Sequence, residues 1–585
     1  MRTKSLILAG LALAALVSCS KENKENPVFS GDKAYINVNI AYSDAATRGT
    51  GDATNPFYFG ASNENAVSGA HFFFYNADGT YATYAYKAKS AMTFDAQGVD
   101  KATDENVESV ASGVVVLEDL KSTNYPSYMA VVLNASDALV TGLKNKTIAQ
   151  AQAFLTGNDI ATLDNTSKLL TNFVMTSTSY DNGDSATGYF CEELQPNNFQ
   201  ESEAEAVKDA NTVTAYVERL AAKVQVGFGS NLDPTDNAVK LGSFMVDGVA
   251  KDLYFKVSAW GLNALAKDSY VFKNIDDDWT FTGFNWNDAT NHRSYWAKFP
   301  MYGVSDAAKV YYPKNFAETD GTNKTTTLSY TSYKNLGVAL DKAAYCRENT
   351  NTAAVLKAVN FSSAVTGVLL KAQVTDNTGN AIQLVNFGKK LYTFDNYVAK
   401  ALSDYDTNYP SAKIFIGIAE GNSMKYTSLA ASNLEAANAY DGYITLKAKT
   451  LTSGSYYIYD GANYTAKTAD EVTAALNQGS VPATKAEYYK DGMMYYNIPI
   501  EHLNDGTGIA KYGDSNFKTN LVEATYGVVR NHYYLLTVTG IKNLGKAVCD
   551  DEEVIIPSDD DLKDYYVGAK VNILSWKVVK QSVEL

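Results

Sequence analysis

The 585-residue chain is short of the residues that usually carry chemistry: it has six arginines, four histidines and four cysteines. Its 50 basic residues are outnumbered by 65 acidic ones, a net charge of -15. That balance repels a phosphate backbone and excludes nucleic acid or an anionic membrane surface as the expected partner. Cys191, Cys346 and Cys549 form no C-x-x-C pair, so zinc or redox chemistry is unsupported and buried free thiols are expected. His71, His292, His502 and His532 are scattered, three of them beside aromatic or strand-like text, and are read as structural. No H-E-x-x-H, G-x-S-x-G, G-x-x-x-x-G-K-[ST] or G-x-G-x-x-G occurs, so metalloprotease, hydrolase and nucleotide signatures all fail. Asp276–Asp278 and Asp559–Asp561 lack the ligand spacing and glycine of a calcium loop and are read as solvated loops. The expectation is a protein with no cofactor, no metal and no enzymatic activity.

What is present begins with an address. Met1–Lys4 is basic, and the apolar run Ser5–Val17 is too short to span a bilayer comfortably, the pattern of a signal peptide. It ends in Leu16-Val17-Ser18-Cys19, which resembles the lipobox at which bacterial lipoproteins are cleaved and lipidated on cysteine. After a polar tether, Ala34, Ile36, Val38, Ile40 and Tyr42 alternate with more polar neighbours, as in a half-buried strand. A loop of small residues follows, with Arg48 at its middle and Gly49 after it, open to a protease. Once Arg2 is lost with the signal, Arg48 is the only arginine before Arg219.

Most of the remaining chain consists of short segments rich in tyrosine and β-branched residues between clusters of Asn, Asp, Gly, Ser and Thr, which predicts an all-β sandwich protein with few short helices. His71–Tyr75 and Tyr81–Tyr84 flank Asp78-Gly79, a hairpin signature. Ser127–Asn134 is nearly continuously apolar and suits a central strand, and Arg219–Val226 reads as one further strand. Thr147–Leu155 is expected to be a short helix, and Thr468-x-x-Glu471 has the spacing of a capping box before Val472, Ala475 and Leu476. Length argues for two domains, and the Gly, Ser, Asn, Asp and Pro text at 227–237 is the expected boundary. The chain closes on a strand-like tail, Val571–Leu585, which either completes its own sheet or is offered elsewhere.

Taken in order, these pieces resemble the fimbrillins of type V pili, the lipoprotein-derived fimbrial subunits, and most of all their short-fimbria stalk type. The resemblance rests on the lipobox, the first strand with the Arg48-Gly49 loop, the Phe72–Gly79 hairpin and Phe173–Ser177. It continues in Asn291–Ala297, Tyr345–Thr350, Met494–Ile500 and, most specifically, Tyr526–Val538 with Ile541 and Leu544-Gly545.

The resemblance implies two tandem β-sandwiches of transthyretin-like or Greek-key type: a signal peptide at 1–19, a propeptide with a removable strand at 20–48, an amino-terminal domain at 49–232, a carboxy-terminal domain at 233–550, and a linker with donor strand at 551–585. It implies lipidation of Cys19, transport to the outer membrane under a transient lipid anchor, and cleavage between Arg48 and Gly49 by an arginine-specific protease. Cleavage would release the strand carrying Ile36, Val38, Ile40 and Tyr42. The donor strand of a neighbouring copy, with Val571, Ile573, Trp576, Val578, Val583 and Leu585, would fill the vacated groove and build a head-to-tail, adhesive surface filament. Other copies and the anchor and tip subunits are the implied partners. Where the family has a longer proline-rich segment before the donor, this chain has Asp550–Lys570 with one proline. Trp576 and Val578 have the parity opposite to Val571 and Ile573, so the tail is expected to bend or bulge around Ser575. Loss of residues 1–48 takes the net charge from -15 to -17.

Two other classes make different demands on the sequence. A tip or anchor adhesin would lack a free donor strand or a usable Arg48, and both are present. A glycan-binding surface lipoprotein would show a concentrated aromatic platform. The 42 tyrosines are spread along the whole chain and are read as sheet packing.

Overall fold

The computed structural model describes residues 33–42, 60–94, 109–118, 125–157, 160–181, 189–229, 232, 239–281, 285–289, 292–304, 327–479, 481–503, 516–559 and 577–584, the last segment as backbone only. The chain is mostly β-strand with short helices. The first half is one sheet curled around a core. Its strands are β1 (Lys33–Tyr42), β2 (Gly69–Tyr75), β3 (Tyr81–Ala88), β4 (Thr93–Phe94), β5 (Ser109–Glu118), β6 (Tyr128–Leu133), β7 (Met175–Ser177) and β8 (Val213–Arg219), in spatial order β3-β2-β6-β7-β8-β1-β5-β4. Glu192–Glu193 adds a short pairing to β6.

The continuous apolar runs in β2 and β6 follow from burial of both faces. Phe72 and Phe74 with Met129, Val131 and Leu133 point into the core shared with β1. Phe73, Tyr75, Ala130 and Val132 point the other way, under helices α1 (Asp137–Leu143) and α2 (Ile148–Gln152). The β2–β3 turn forms at Asp78-Gly79 as expected, with Gly79 at φ 77°. Helix α2 is closed by a capping box between Thr147 and Gln150.

Arg219–Val226 is not one strand. Arg219 ends β8, and the chain crosses at Leu220-Ala221 into β9 (Ala222–Phe228), which belongs to a different sheet. Sheet membership therefore changes upstream of the boundary expected at 227–237. Alternation of apolar residues runs through the crossing, so the sequence pattern does not mark it.

The second half is a sandwich. One layer has the order β10-β9-β11-β12, with β10 at Ala343–Cys346, β11 at His532–Gly540 and β12 at Lys577–Glu584. The facing layer has ten strands: Leu434–Asn438, Tyr443–Ala448, Ala486–Tyr489, Leu384–Phe387, Lys390–Tyr392, Val239–Val246, Val249–Asn263, Gly367–Thr375, Met493–Pro499 and Lys546–Ala547, in that order. Val224, Val226, Tyr534, Leu536 and Val538 from one layer meet Phe255, Trp260, Leu370, Val374, Met494 and Ile498 from the other in one core.

Between Thr375 and Ala486 the chain builds a third lobe that the two-sandwich expectation did not contain. Helix α3 (Phe394–Asn408) and helix α4 (Ala469–Leu476) enclose, with a separate four-stranded sheet, a core of their own that includes Val398, Ile414, Ile416, Leu446, Tyr456 and Val472. Helix α4 starts at the expected capping box of Thr468 and Glu471.

Candidate polymerisation site

β1 lies in the middle of its sheet. It pairs antiparallel with β5 over its whole length, from Lys33↔Glu118 to Tyr42↔Ser109. On its other side it runs parallel to β8, with Val38↔Val213 and Ile40↔Ala215 in register, and Tyr35 exchanges backbone hydrogen bonds with Gln200 at 2.8 and 2.9 Å. Ala34, Ile36, Val38 and Ile40 are fully buried in the core. Small residues face large ones: Val38 sits opposite Gly113, and Ile40 opposite Ala111. Burial of Ile36, Val38 and Ile40 contributes roughly 5–9 kcal/mol in gross terms. On the opposite face Asn37 donates from Nδ2 to Thr212 Oγ1 at 2.9 Å, which satisfies an otherwise costly buried amide.

Taking β1 out of this position would strip hydrogen-bond partners from both β5 and β8 and expose the apolar faces of Val115, Leu117 and Val213. The slot walls were not singled out in the sequence. The run Val114–Leu117 marks a strand there, but nothing local marks its neighbour.

The last strand, β12, is parallel to β11, from His532↔Lys577 to Val538↔Val583, with a bulge before Gly540↔Glu584. Among the described residues it has a partner on one side only, so in the single chain it is an edge strand of its own sandwich. Val578 and Val583 lie on it. Val571, Ile573, Trp576 and Leu585 lie outside the described residues, as do Cys19, Arg48 and Gly49; for Tyr42 only the backbone is described.

The slot and the seat of the last strand are joined through a buried polar junction. Arg219, at the end of β8, donates from Nε to the Glu64 carbonyl oxygen at 3.1 Å and from Nη1 to Asn531 Oδ1 at 3.3 Å, directly before β11. Glu64 binds Lys223 Nζ at 2.6 Å and accepts from the Tyr345 hydroxyl. Burial alone would raise the Glu64 pKa, but Lys223 and Tyr345 hold it below the usual carboxylate value. Glu218 meets Lys273 at 2.6 Å, and Arg530 meets Glu348 at 2.7 Å while donating to the carbonyls of Val271 and Tyr270.

The histidines sit in aromatic packing. His292 stacks on Tyr216 at 3.7 Å, His71 contacts the Tyr84 hydroxyl at 2.8 Å, and burial lowers the His71 pKa to about 4. His502 and His532 lie in one cluster with Tyr534. All three described cysteines are buried and free. Asp559 departs from the solvated-loop reading: its carboxylate accepts from the Phe361 and Ser362 amides and from Lys518 Nζ at 2.7 Å, tying the chain before the tail to the sandwich. Asp276–Asp278 are clustered, with Asp276 paired to Lys298 at 3.3 Å.

Residues 487–582 match the family described as major fimbrial subunit protein type IV, fimbrillin, C-terminal. That segment contains β11 and most of β12. No curated protein sequence matches the chain. Among solved structures, a putative cell adhesion protein from Parabacteroides distasonis is similar at 13% identity and TM-score 0.32, covering 94% of this chain and 99% of that one. A fimbrial assembly protein from the same organism is similar at 11% identity and TM-score 0.25, over 74% and 100%. The tip fimbrial protein Mfa3 from Porphyromonas gingivalis with C-terminal truncation is similar at 10% and 0.26, over 68% and 98%. These likenesses are too remote to transfer a residue or a contact. The class defined by the matched segment is that of fimbrial subunits. Residues 487–582 are thus similar to the carboxy-terminal part of fimbrillins.

Proposed function

We propose that the chain is the structural subunit of a type V pilus, exported as a lipoprotein lipidated at Cys19, cleaved after Arg48 and polymerised by donor-strand exchange. The observation that carries the reading is the position of β1, a strand buried in the centre of its sheet yet covalently linked to the sheet's other strands only through the segment holding Arg48. A cut there converts an integral strand into a separable one. The opened slot then offers two strand edges and an apolar floor.

β12 is suited to fill it. Among the described residues of its own chain it has one hydrogen-bonded neighbour, whereas in the slot it would have two and would bury alternate side chains as well. Exchange from a one-sided to a two-sided position is therefore favourable once β1 has gone. Since the contact is head-to-tail, it does not close and generates a filament. The arginine-specific protease, the outer-membrane stage and the anchor and tip subunits belong to the same proposal.

The test uses purified residues 49–585 with and without 571–585. Ladders or filaments only with the tail support exchange; equal assembly of both overturns it. Arg48→Ala is expected to leave an unprocessed monomer at the outer membrane, and normal pili from that variant would remove the maturation step.

A further inference from the structure

The four-stranded sheet of the third lobe, Lys413–Glu420, Ser423–Ser428, Ser455–Tyr459 and Tyr464–Lys467, is covered on one face only. Ile414, Ile416 and Tyr456 point into the lobe core. The cross-strand register puts Phe415 beside Tyr457, and Tyr459 beside Tyr464, on the opposite face. Rings from both edges meet above that face: Tyr426 and Tyr464 stack at 3.7 Å and 7°, and Tyr464 also contacts Phe415 at 5.3 Å and Tyr459 at 4.7 Å. Gly417 leaves the space this needs, because a Cβ there would come within 2.6 Å of the Tyr457 ring. Tyr464 is 37% exposed, and the hydroxyls of Tyr426, Tyr457 and Tyr464 have no hydrogen-bond partner among the described residues.

Lys413, the cross-strand partner of Tyr459, also borders an open groove of about 490 Å3 against helix α3, lined by Leu402, Ser403, Asp406 and Leu429. Most charges around face and groove are paired, while Asp460, in the turn between Tyr459 and Tyr464, accepts from the Ala462 and Asn463 amides. Lys425 pairs with Glu420 at 3.3 Å, Lys467 with Glu471 at 3.1 Å, and the groove holds one Asp and one Lys. An anionic occupant is therefore disfavoured, and a neutral one fits, with flat apolar faces to lie on rings and many hydroxyls to meet tyrosine, serine, aspartate and lysine groups. A second copy, at a net charge of -15, finds no compensating charge here.

We infer that this lobe is a carbohydrate-binding site, in which the Tyr464 and Tyr459 rings stack on pyranose faces of a neutral oligosaccharide and the Asp406–Lys413 groove hydrogen-bonds its hydroxyls. The site does not depend on β1, β12 or cleavage, so it stands or falls separately from polymerisation.

The experiment titrates residues 20–585, which keep β1, with cellohexaose, maltohexaose and chitohexaose by calorimetry, with sialyllactose as the charged comparison. At least one neutral hexasaccharide is expected to bind more tightly than sialyllactose. Tyr464→Ala and Tyr459→Ala should each weaken it about tenfold, the worth of one stacked ring. Tyr464→Phe, which keeps the ring, should change it by less than about threefold. Matched thermal melts establish that the variants are folded. No binding of any of the three hexasaccharides overturns the assignment, as does binding that both alanine variants retain. Self-association that Tyr464→Ala abolishes, without saccharide binding, would make the face a contact between copies and equally overturn it.

Discussion

Arg219 and Arg530 are 1% and 0% exposed, and each guanidinium is engaged by several acceptors at the junction. Arg293 and Arg347 are only partly accessible. These are all the arginines left after residue 48, so no arginine of the folded body is freely exposed. An arginine-specific protease is therefore expected to cut the native chain between Arg48 and Gly49 and nowhere else, while the urea-unfolded chain yields cuts at Arg219, Arg293, Arg347 and Arg530 as well. Mass spectrometry of a limited digest reads this directly, and native fragments ending at Arg293 or Arg347 would contradict it. At the same scale, Glu64 has a folded pKa below its ordinary value of 4.5 because of Lys223, Tyr345 and Arg219. A lowered carboxylate pKa contributes stability that is complete above the unfolded value and is lost as pH falls through the folded one. Glu64→Gln should therefore lower the melting temperature at pH 7, and the gap to wild type should close as the pH drops below 4.5 and wild-type Glu64 takes up its proton. A gap independent of pH would mean that the carboxylate's charge is not what holds Lys223.

Among the elements, β1 is unusual in being central to the precursor and absent from the proposed working subunit. Ile36→Asp puts a carboxylate among Val115, Leu117 and Phe199, at a cost of about 3 kcal/mol or more from lost burial and an unpaired charge. The variant precursor is expected to melt well below wild type, and the difference should vanish once both are cleaved at Arg48 and β1 is gone. Equal melts before cleavage would show that β1 does not support the fold. Strands of this kind were legible from period-2 alternation, and so were α2 from its Ala and Gln content and α4 from its capping box. Helix α3 was not: its buried positions Tyr397, Val398, Ala401 and Tyr405 keep helical spacing, but its Tyr, Asn, Asp and Thr content has the look of strand and turn text. The parallel partner of β1 was also hidden. β8 lies some 170 residues along the chain, and alternation records which face is buried but not which strand lies alongside. The same limit applies to the tyrosines. Counting them along the sequence spreads them evenly, whereas sheet register gathers Tyr426, Tyr457, Tyr459 and Tyr464 over one face.

For the molecule as a whole, the junction decides whether two sandwiches behave as two bodies or one. Glu64, Glu218 and Arg219 come from the amino-terminal half, and Lys223, Lys273, Glu348, Arg530 and Asn531 from the carboxy-terminal half. Val271 and Phe272 also cross over to pack beneath α1 and α2. Buried ion pairs add little net stability compared with apolar packing, but an unpaired buried charge is costly, so moving one half against the other would leave Lys223 or Lys273 without its carboxylate. A subunit gripped through β12 at one end and through the β1 slot at the other would transmit tension across this junction rather than bend there. Wild-type residues 20–585, which keep β1, are accordingly expected to unfold in a single calorimetric transition. Glu218→Gln leaves Lys273, its partner across the junction, without a carboxylate, at a cost of about 3–5 kcal/mol, and should separate an earlier transition of one half from that of the other. If wild type already unfolds in two steps, or Glu218→Gln melts as wild type does, the halves are not coupled by these charges. Rigidity of the filament would then have to come from the contacts between subunits instead.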